Sequence, residues 1–316
     1  MFWNEFKKPF FALAPMHEVT DFAFRETISH FKKPDLIFTE FVSVDGLCHP
    51  QSREKMAKYY LQYSQIQRPI VAQIWGSNPE HFLEAAKYIA SLGFDGIDIN
   101  MGCPDKSVVK QGGGAALILN PQGAKEIIKA TKEGANNLPV SVKTRIGFNE
   151  IETELWMKEL IEAKPAAITV HGRTKKELSR FPVHWDQIAL ASSMAKNTKI
   201  KIIGNGDVLS LNEGKELSKK YNLDGIMVGR ATMGNPWFFD ENVEYKDISV
   251  EQKIKAMLFH AEVFENSFLG IKRFNHFKKH IKAYISGFKN AVLIRNKFML
   301  ANNFEEMKSI ADLLSM

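Results

Sequence analysis

Cysteine is scarce: only Cys48 and Cys103 occur in 316 residues. A disulfide framework is therefore not expected, and a reducing compartment, the cytoplasm, is the default. No apolar run approaches the roughly 18 residues that cross a bilayer, so no membrane span is predicted. The opening Met1-Phe2-Trp3-Asn4-Glu5-Phe6 lacks the charged start and long apolar stretch of an export signal. Low-complexity tracts are missing, and so are repeats shorter than a strand–helix unit. No GxGxxG follows the first apolar run, which counts against an open dinucleotide-binding sheet. Acidic residues are absent from Ile271 to Phe298, a window holding Lys272, Arg273, Lys278, Lys279, Lys282, Lys289, Arg295 and Lys297. That window carries +8 of a chain whose net charge is +6, so the remainder sums to −2. A local positive field of this kind predicts docking of a polyanion; a solvated helix face is the plainer alternative. No metal site and no obligate protein partner are expected.

What is present is an alternation. Eight short apolar runs recur: Phe10–Pro15, Leu36–Val42, Ile70–Gly76, Gly96–Gly102, Val140–Gly147, Ala167–Thr174, Lys201–Val208 and Gly225–Arg230. Continuous rather than alternating apolarity fits parallel strands covered on both faces. Helical patterns lie between them, with start signals at Asn78-Pro79 and at Ser210 with Glu213, read as a capping box. Eight strand–helix units over about 240 residues match an α/β fold of the (β/α)8 TIM barrel type. A doubly wound open sheet is the fallback. After Trp237-Phe238-Phe239 the pattern becomes helical. Ser249 with Gln252 caps one helix, Phe274, Phe277, Ile281 and Tyr284 mark the buried side of a second that Gly287 stops, and Asn303 with Glu306 starts a last one. The expected division is a barrel over residues 1–242 and a C-terminal all-helical domain over residues 243–316, the basic residues lying mostly off its buried faces.

In such barrels chemistry sits at the C-terminal ends of the strands. There the sequence places Pro15 and Met16 after the first run, Gln73 in the third and Asn100 closing the fourth, with Cys103 just beyond. Lys143 and Arg145 follow in the fifth, His171 and Arg173 end the sixth, Asn205-Gly206-Asp207 the seventh, and Gly229-Arg230 the eighth. Cys103 is the candidate proton donor, a thiol that can deliver one proton at a chosen carbon beside a redox cofactor. Lys143, inside an apolar strand, demands an anion or an electron-rich ring, because an unpaired buried ammonium is costly. Gly206, Gly229 and Arg230 fit a phosphate seat after the seventh and eighth strands. A phosphate tail joined to a hydrogen-bonding ring describes flavin mononucleotide, FMN. Cys48 reads as an inert thiol.

On Ala14-Pro15-Met16 through Val19-Thr20-Asp21, Asn100-Met101-Gly102-Cys103-Pro104, Gly112–Ala116, His171-Gly172-Arg173-Thr174, Asn205-Gly206-Asp207 and Gly229-Arg230, the chain resembles the tRNA-dihydrouridine synthases over essentially its whole length. The resemblance implies FMN held by Pro15, Met16, Gln73, Lys143, His171, Asn205, Gly206, Asp207, Gly229 and Arg230. It implies Cys103 as general acid, and Asn100 and Arg145 near the target base. The substrate it implies is a uridine of tRNA, with NADPH as reductant. Arg173 and the basic residues Lys278, Lys279 and Lys282 would meet the tRNA backbone. One departure is visible: His17 and Glu18 stand where the family commonly has small residues. Two other classes compete: a barrel acting on a free pyrimidine, like dihydroorotate dehydrogenase, and a tRNA-binding protein without catalysis. The +8 window speaks against the first and the intact Cys103, Lys143 and Arg230 against the second.

Overall fold

The computed structural model describes residues 2–314. Nine parallel strands form: β1 Phe10–Leu13, β2 Leu36–Phe38, β3 Val42–Ser43, β4 Ile70–Trp75, β5 Gly96–Met101, β6 Val140–Arg145, β7 Ala167–His171, β8 Lys201–Asn205 and β9 Gly225–Val228. The order β2-β1-β9-β8-β7-β6-β5-β4 closes on itself through a β2–β4 pairing, giving an eight-stranded barrel. The second apolar run is split. Strand β2 stops at Phe38, and β3 pairs only with the end of β4. The interruption carries the buried Glu40, whose carboxyl takes the Glu18 N–H.

Alternation along the strands sorts the side chains. Leu13, Ile37, Ile97 and Val142 face the surrounding helices in the larger apolar cluster. Their neighbours point inward, and the barrel interior changes character along its axis. At the N-terminal end Trp3 packs with Phe10, Ala12, Leu36, Phe38, Val71 and Ala167. At the C-terminal end the inward positions are Gln73, Asp98, Asn100, Ser141, Lys143 and His171. One end is thus sealed by hydrocarbon while the other is lined with groups that need partners.

Helix starts follow the sequence closely. Asn78 caps Pro79–Ser91 by accepting from the Glu80 N–H. Both halves of the Ser249–Gln252 box form at 2.8 and 3.1 Å. Asn303 accepts from the Glu306 N–H at 2.8 Å. At Ser210 only half the expected box forms: its side chain takes the Glu213 N–H, but the Glu213 carboxylate turns to the Leu209 N–H at 2.7 Å.

Past the barrel, helices Val250–Ser267, Lys278–Tyr284, Ala291–Phe298 and Phe304–Leu314 build a second apolar cluster around Met257, Phe264, Phe277, Phe298 and Met307. Ala23 of the barrel helix Phe22–Lys32 belongs to it, and the Phe24 ring meets His260 and His280. This separate cluster supports the division after Asn242, which we propose as a domain boundary. One correction concerns charge. Lys272, counted above with the basic surface, has a side chain only 1% exposed. It reaches Asp21 at 3.2 Å and lies 4.2 Å from the Tyr59 and Phe268 ring centres, so it is an internal ion rather than a surface one.

Candidate active site

The C-terminal mouth of the barrel holds a cavity of about 710 Å³, within the range of small-molecule sites. Pro15, Met16, Lys143, His171, Asn205, Gly206, Asp207, Gly229 and Arg230 line it, together with Ser179, Leu209 and Met227. A cleft of about 270 Å³ between Lys8, Lys196, Lys199, Lys201 and Asp224 lies at the strands' N-terminal ends, away from these groups.

Strand β6 delivers Lys143 into the cavity, and its ammonium makes no hydrogen bond among the described residues. Burial, then the Arg145 charge, pulls its pKa down to about 8, against the opposing pull of Asp98. Lys143 is therefore a weakly compensated cation turned toward ligand space. His171 sits among Lys143, Arg145, Arg173 and Arg230, and burial with these charges holds its pKa well below the usual imidazole range. Its Nε2 accepts from the Arg173 guanidinium at 3.3 Å, as a neutral ring requires.

Beneath the cavity runs a directed hydrogen-bond chain. Asn100 Oδ1 accepts the Gly102 and Cys103 N–H groups at 3.1 and 2.9 Å. Backbone donors thereby fix the amide orientation, so Asn100 Nδ2 donates to Gln73 Oε1 at 3.1 Å, and Gln73 Nε2 to Asp98 at 2.7 Å. Ser141 donates to the other Asp98 oxygen at 2.6 Å. Two donors suit a carboxylate, although burial raises the Asp98 pKa to about 6. Asp98 and Ser141 were not singled out from the sequence. The signal was there in the two-residue period of a strand, which puts Asp98 on the inward face with Asn100, and Ser141 with Lys143.

The thiol's loop is held from several sides. The Cys103 carbonyl accepts the Ala115 N–H at 3.0 Å. Gly114, at φ +57°, passes so close that a Cβ there would lie 2.7 Å from the Cys103 carbonyl oxygen. The glycine loop is thus a packing requirement of the thiol loop. Burial raises the Cys103 pKa, with the Asp105 charge adding to it; the Asp105 N–H and the Arg145 and Lys143 charges offset this only in part, so the thiol keeps its proton.

The remaining expected residues fall into two groups. Gln73 is fully buried and Asn100 nearly so, each with one amide hydrogen left over. Arg145 is also buried; it donates to the carbonyls of Gly102, Thr174 and Leu178, tying the thiol loop to the loop after β7, and its Nη2 makes no hydrogen bond among the described residues. Arg173 is 2% exposed. It is braced by the Phe181 carbonyl and pairs with Asp207, which Arg230 holds from the other side. Arg173 therefore reaches no tRNA backbone as the chain stands; it anchors the cavity wall. Lys278, Lys279 and Lys282 lie on the second helical unit, and Lys279 is engaged by Glu18 at 3.2 Å.

Fold and site together define a class: a (β/α)8-barrel enzyme whose mouth offers cations and backbone donors to an anionic ligand, beside a protonated thiol. Comparison with known proteins narrows it. The family model described as dihydrouridine synthase (Dus) matches residues 12–314. A probable tRNA-dihydrouridine synthase of Staphylococcus aureus (strain MRSA252) is 39% identical, covering 98% of this chain and 94% of the relative. Probable tRNA-dihydrouridine synthase 2 of Bacillus subtilis (strain 168) is 36% identical over 98% and 95%. A solved variant of NCR from Zymomonas mobilis shares the fold, with a TM-score of 0.51 at 17% identity over 77% of this chain and 90% of that one. The chain belongs to the dihydrouridine synthase family.

Proposed function

We propose that this protein reduces the C5=C6 bond of uridines in tRNA to dihydrouridine, with bound FMN, NADPH as reductant, and the cytoplasm as its site of action. The observation that carries the reading is the Cys103 thiol, kept protonated by burial, on a loop whose backbone Asn100 holds beside a cationic cavity. The family membership and the tRNA-dihydrouridine synthase names of its relatives support the substrate.

The cavity suits FMN: Lys143 presents an ammonium without a hydrogen-bond partner among the described residues, and Arg230 stands at the rim with a side chain 59% exposed. Pro15, Met16, Lys143, His171, Asn205, Gly206, Asp207, Gly229 and Arg230 would hold it, with Gln73 steadying the wall from below. When bound, the flavin supplies a hydride to C6 of the uracil ring. The protein's own part is to seat the base and complete the addition. A uridine extruded from its stack enters the mouth, at a cost of a few kcal/mol. The unspent donors of Asn100 and Arg145 would orient it. Cys103 gives its proton to C5, and the resulting thiolate is stabilised by Lys143 and Arg145 until solvent reprotonates it. Lys278, Lys279 and Lys282 supply backbone attraction that weakens with salt.

The test is single-turnover reduction of unmodified tRNA by Cys103→Ala and by the wild-type protein. Loss of a general acid lowers the rate by about 10²–10⁴-fold, with tRNA still bound. Wild-type turnover on a free pyrimidine but not on tRNA overturns the reading.

A further inference from the structure

We propose that His17 is a stacking surface for a nucleobase next to the target uridine. The assignment rests on the function proposed above and adds a contact to it. The His17 side chain is 47% exposed. Its ring lies nearly parallel to Phe41, with centres 4.9 Å apart at 27°, and to Tyr60, 6.2 Å away at 25°. Tyr60 in turn packs on Tyr59 at 4.5 Å. An imidazole backed by aromatic rings and open to solvent is a ready π-face.

Its position gives that face a use. His17 directly follows Met16 of the cavity wall. Asp105, two residues past Cys103, and Lys279 of the basic helix are both near enough for their charges to bear on its ring. Cavity, thiol loop and basic helix therefore meet around it. The backbone is pinned there: Glu18 adopts φ +61°, and its carboxylate is held by Lys279 at 3.2 Å, Tyr59 at 3.2 Å and His276 at 3.5 Å. Burial against the rings lowers the His17 pKa, which favours the neutral imidazole. Drawing a uridine out of its stack strips its neighbour of a stacking partner. A fixed ring at the rim restores one, in the way exposed rings engage splayed RNA bases.

Stacking and phosphate contact differ in salt dependence, so equilibrium binding of unmodified tRNA across a salt series decides. His17→Ala should weaken binding by about 5- to 150-fold, the worth of one stacked base, with the slope of log affinity against log salt unchanged. His17→Phe should recover affinity to within about 3-fold. Wild-type affinity in His17→Ala overturns the inference alone. So does a slope shallower by about 0.7–0.9, the mark of one lost phosphate contact. So does failure of His17→Phe while it melts like the wild type. Dihydrouridine formation by the wild-type protein, measured on the same tRNA, reports separately on the underlying function.

Discussion

At the scale of single residues, the chemistry depends on where protons sit. The Cys103 thiol keeps its proton because burial outweighs the Asp105 N–H and the nearby Arg145 and Lys143 charges; had Lys143 or Arg145 been in direct contact, the balance would favour thiolate and the acid would be lost. The pH dependence follows in sign. A general acid works below its pKa, and this one lies above the ordinary thiol value. The chemical step should therefore be flat through neutral pH and fall tenfold per pH unit once the thiol ionises. Single-turnover rates across the alkaline range check this, and a fall already beginning below pH 7 would contradict it. Cys103, Asn100 and Lys143 were readable from residue type and strand position. For Asp98 the strand period gives the inward face but not the role, which shows only when Gln73 and Ser141 are seen to donate to it.

At the scale of elements, the joint between barrel and helices is ionic at its centre. Lys272 links the segment after helix Val250–Ser267 to Asp21, the N-cap of helix Phe22–Lys32, with Glu40 at 4.0 Å. Burial raises the Glu40 pKa to about 7, the charge of neighbouring Asp21 adding to it, with Lys272 and Arg25 opposing. Removing one partner of such a buried set costs about 3–5 kcal/mol, because the other charge is left without compensation. Lys272→Met should lower the urea midpoint accordingly. The Glu40 part of the loss should shrink as pH falls through about 7, where Glu40 takes a proton, while the Asp21 contact still needs its cation. An unchanged midpoint would make the pair dispensable. Charge counting in the sequence placed Lys272 on the surface, since a run of basic residues does not say which of them folds inward. The helix starts were legible for the opposite reason: each cap is a contact between residues two or three apart.

At the scale of the whole molecule, the barrel helix Phe22–Lys32 meets the C-terminal helices over a pair of buried imidazoles. His260 and His280 are fully buried, and three of their four ring nitrogens have no hydrogen-bond partner among the described residues. Tyr284 approaches the fourth at 3.3 Å. Burial lowers the His260 pKa to about 4, and that of His280 well below its usual value. Groups kept neutral in the fold but protonated in the unfolded chain contribute stability that is complete above pH 6.5 and is lost as pH falls toward 4. For His260 alone the loss is about 3 kcal/mol at pH 4. Melting should fall steeply between pH 6.5 and 4, and His280→Phe should flatten the fall. An identical acid profile in that variant would exclude His280 as a source, and one in His260→Phe would exclude His260.

Sequence alone determined the barrel, the helical tail and most of the cavity wall. Strand spacing, apolar period and loop composition are local properties, and an eight-fold strand–helix alternation leaves few ways to bury its hydrophobic faces. Tertiary structure decided the partnerships. It turned Lys272 inward, placed Arg173 behind Asp207, joined Asn100 to Asp98 through Gln73, and stacked His17 on Phe41. Each of these joins residues distant in the chain, or turns a side chain by the packing around it. A charge or a ring acquires a role only from what faces it, and that is fixed when the barrel closes and the helices dock.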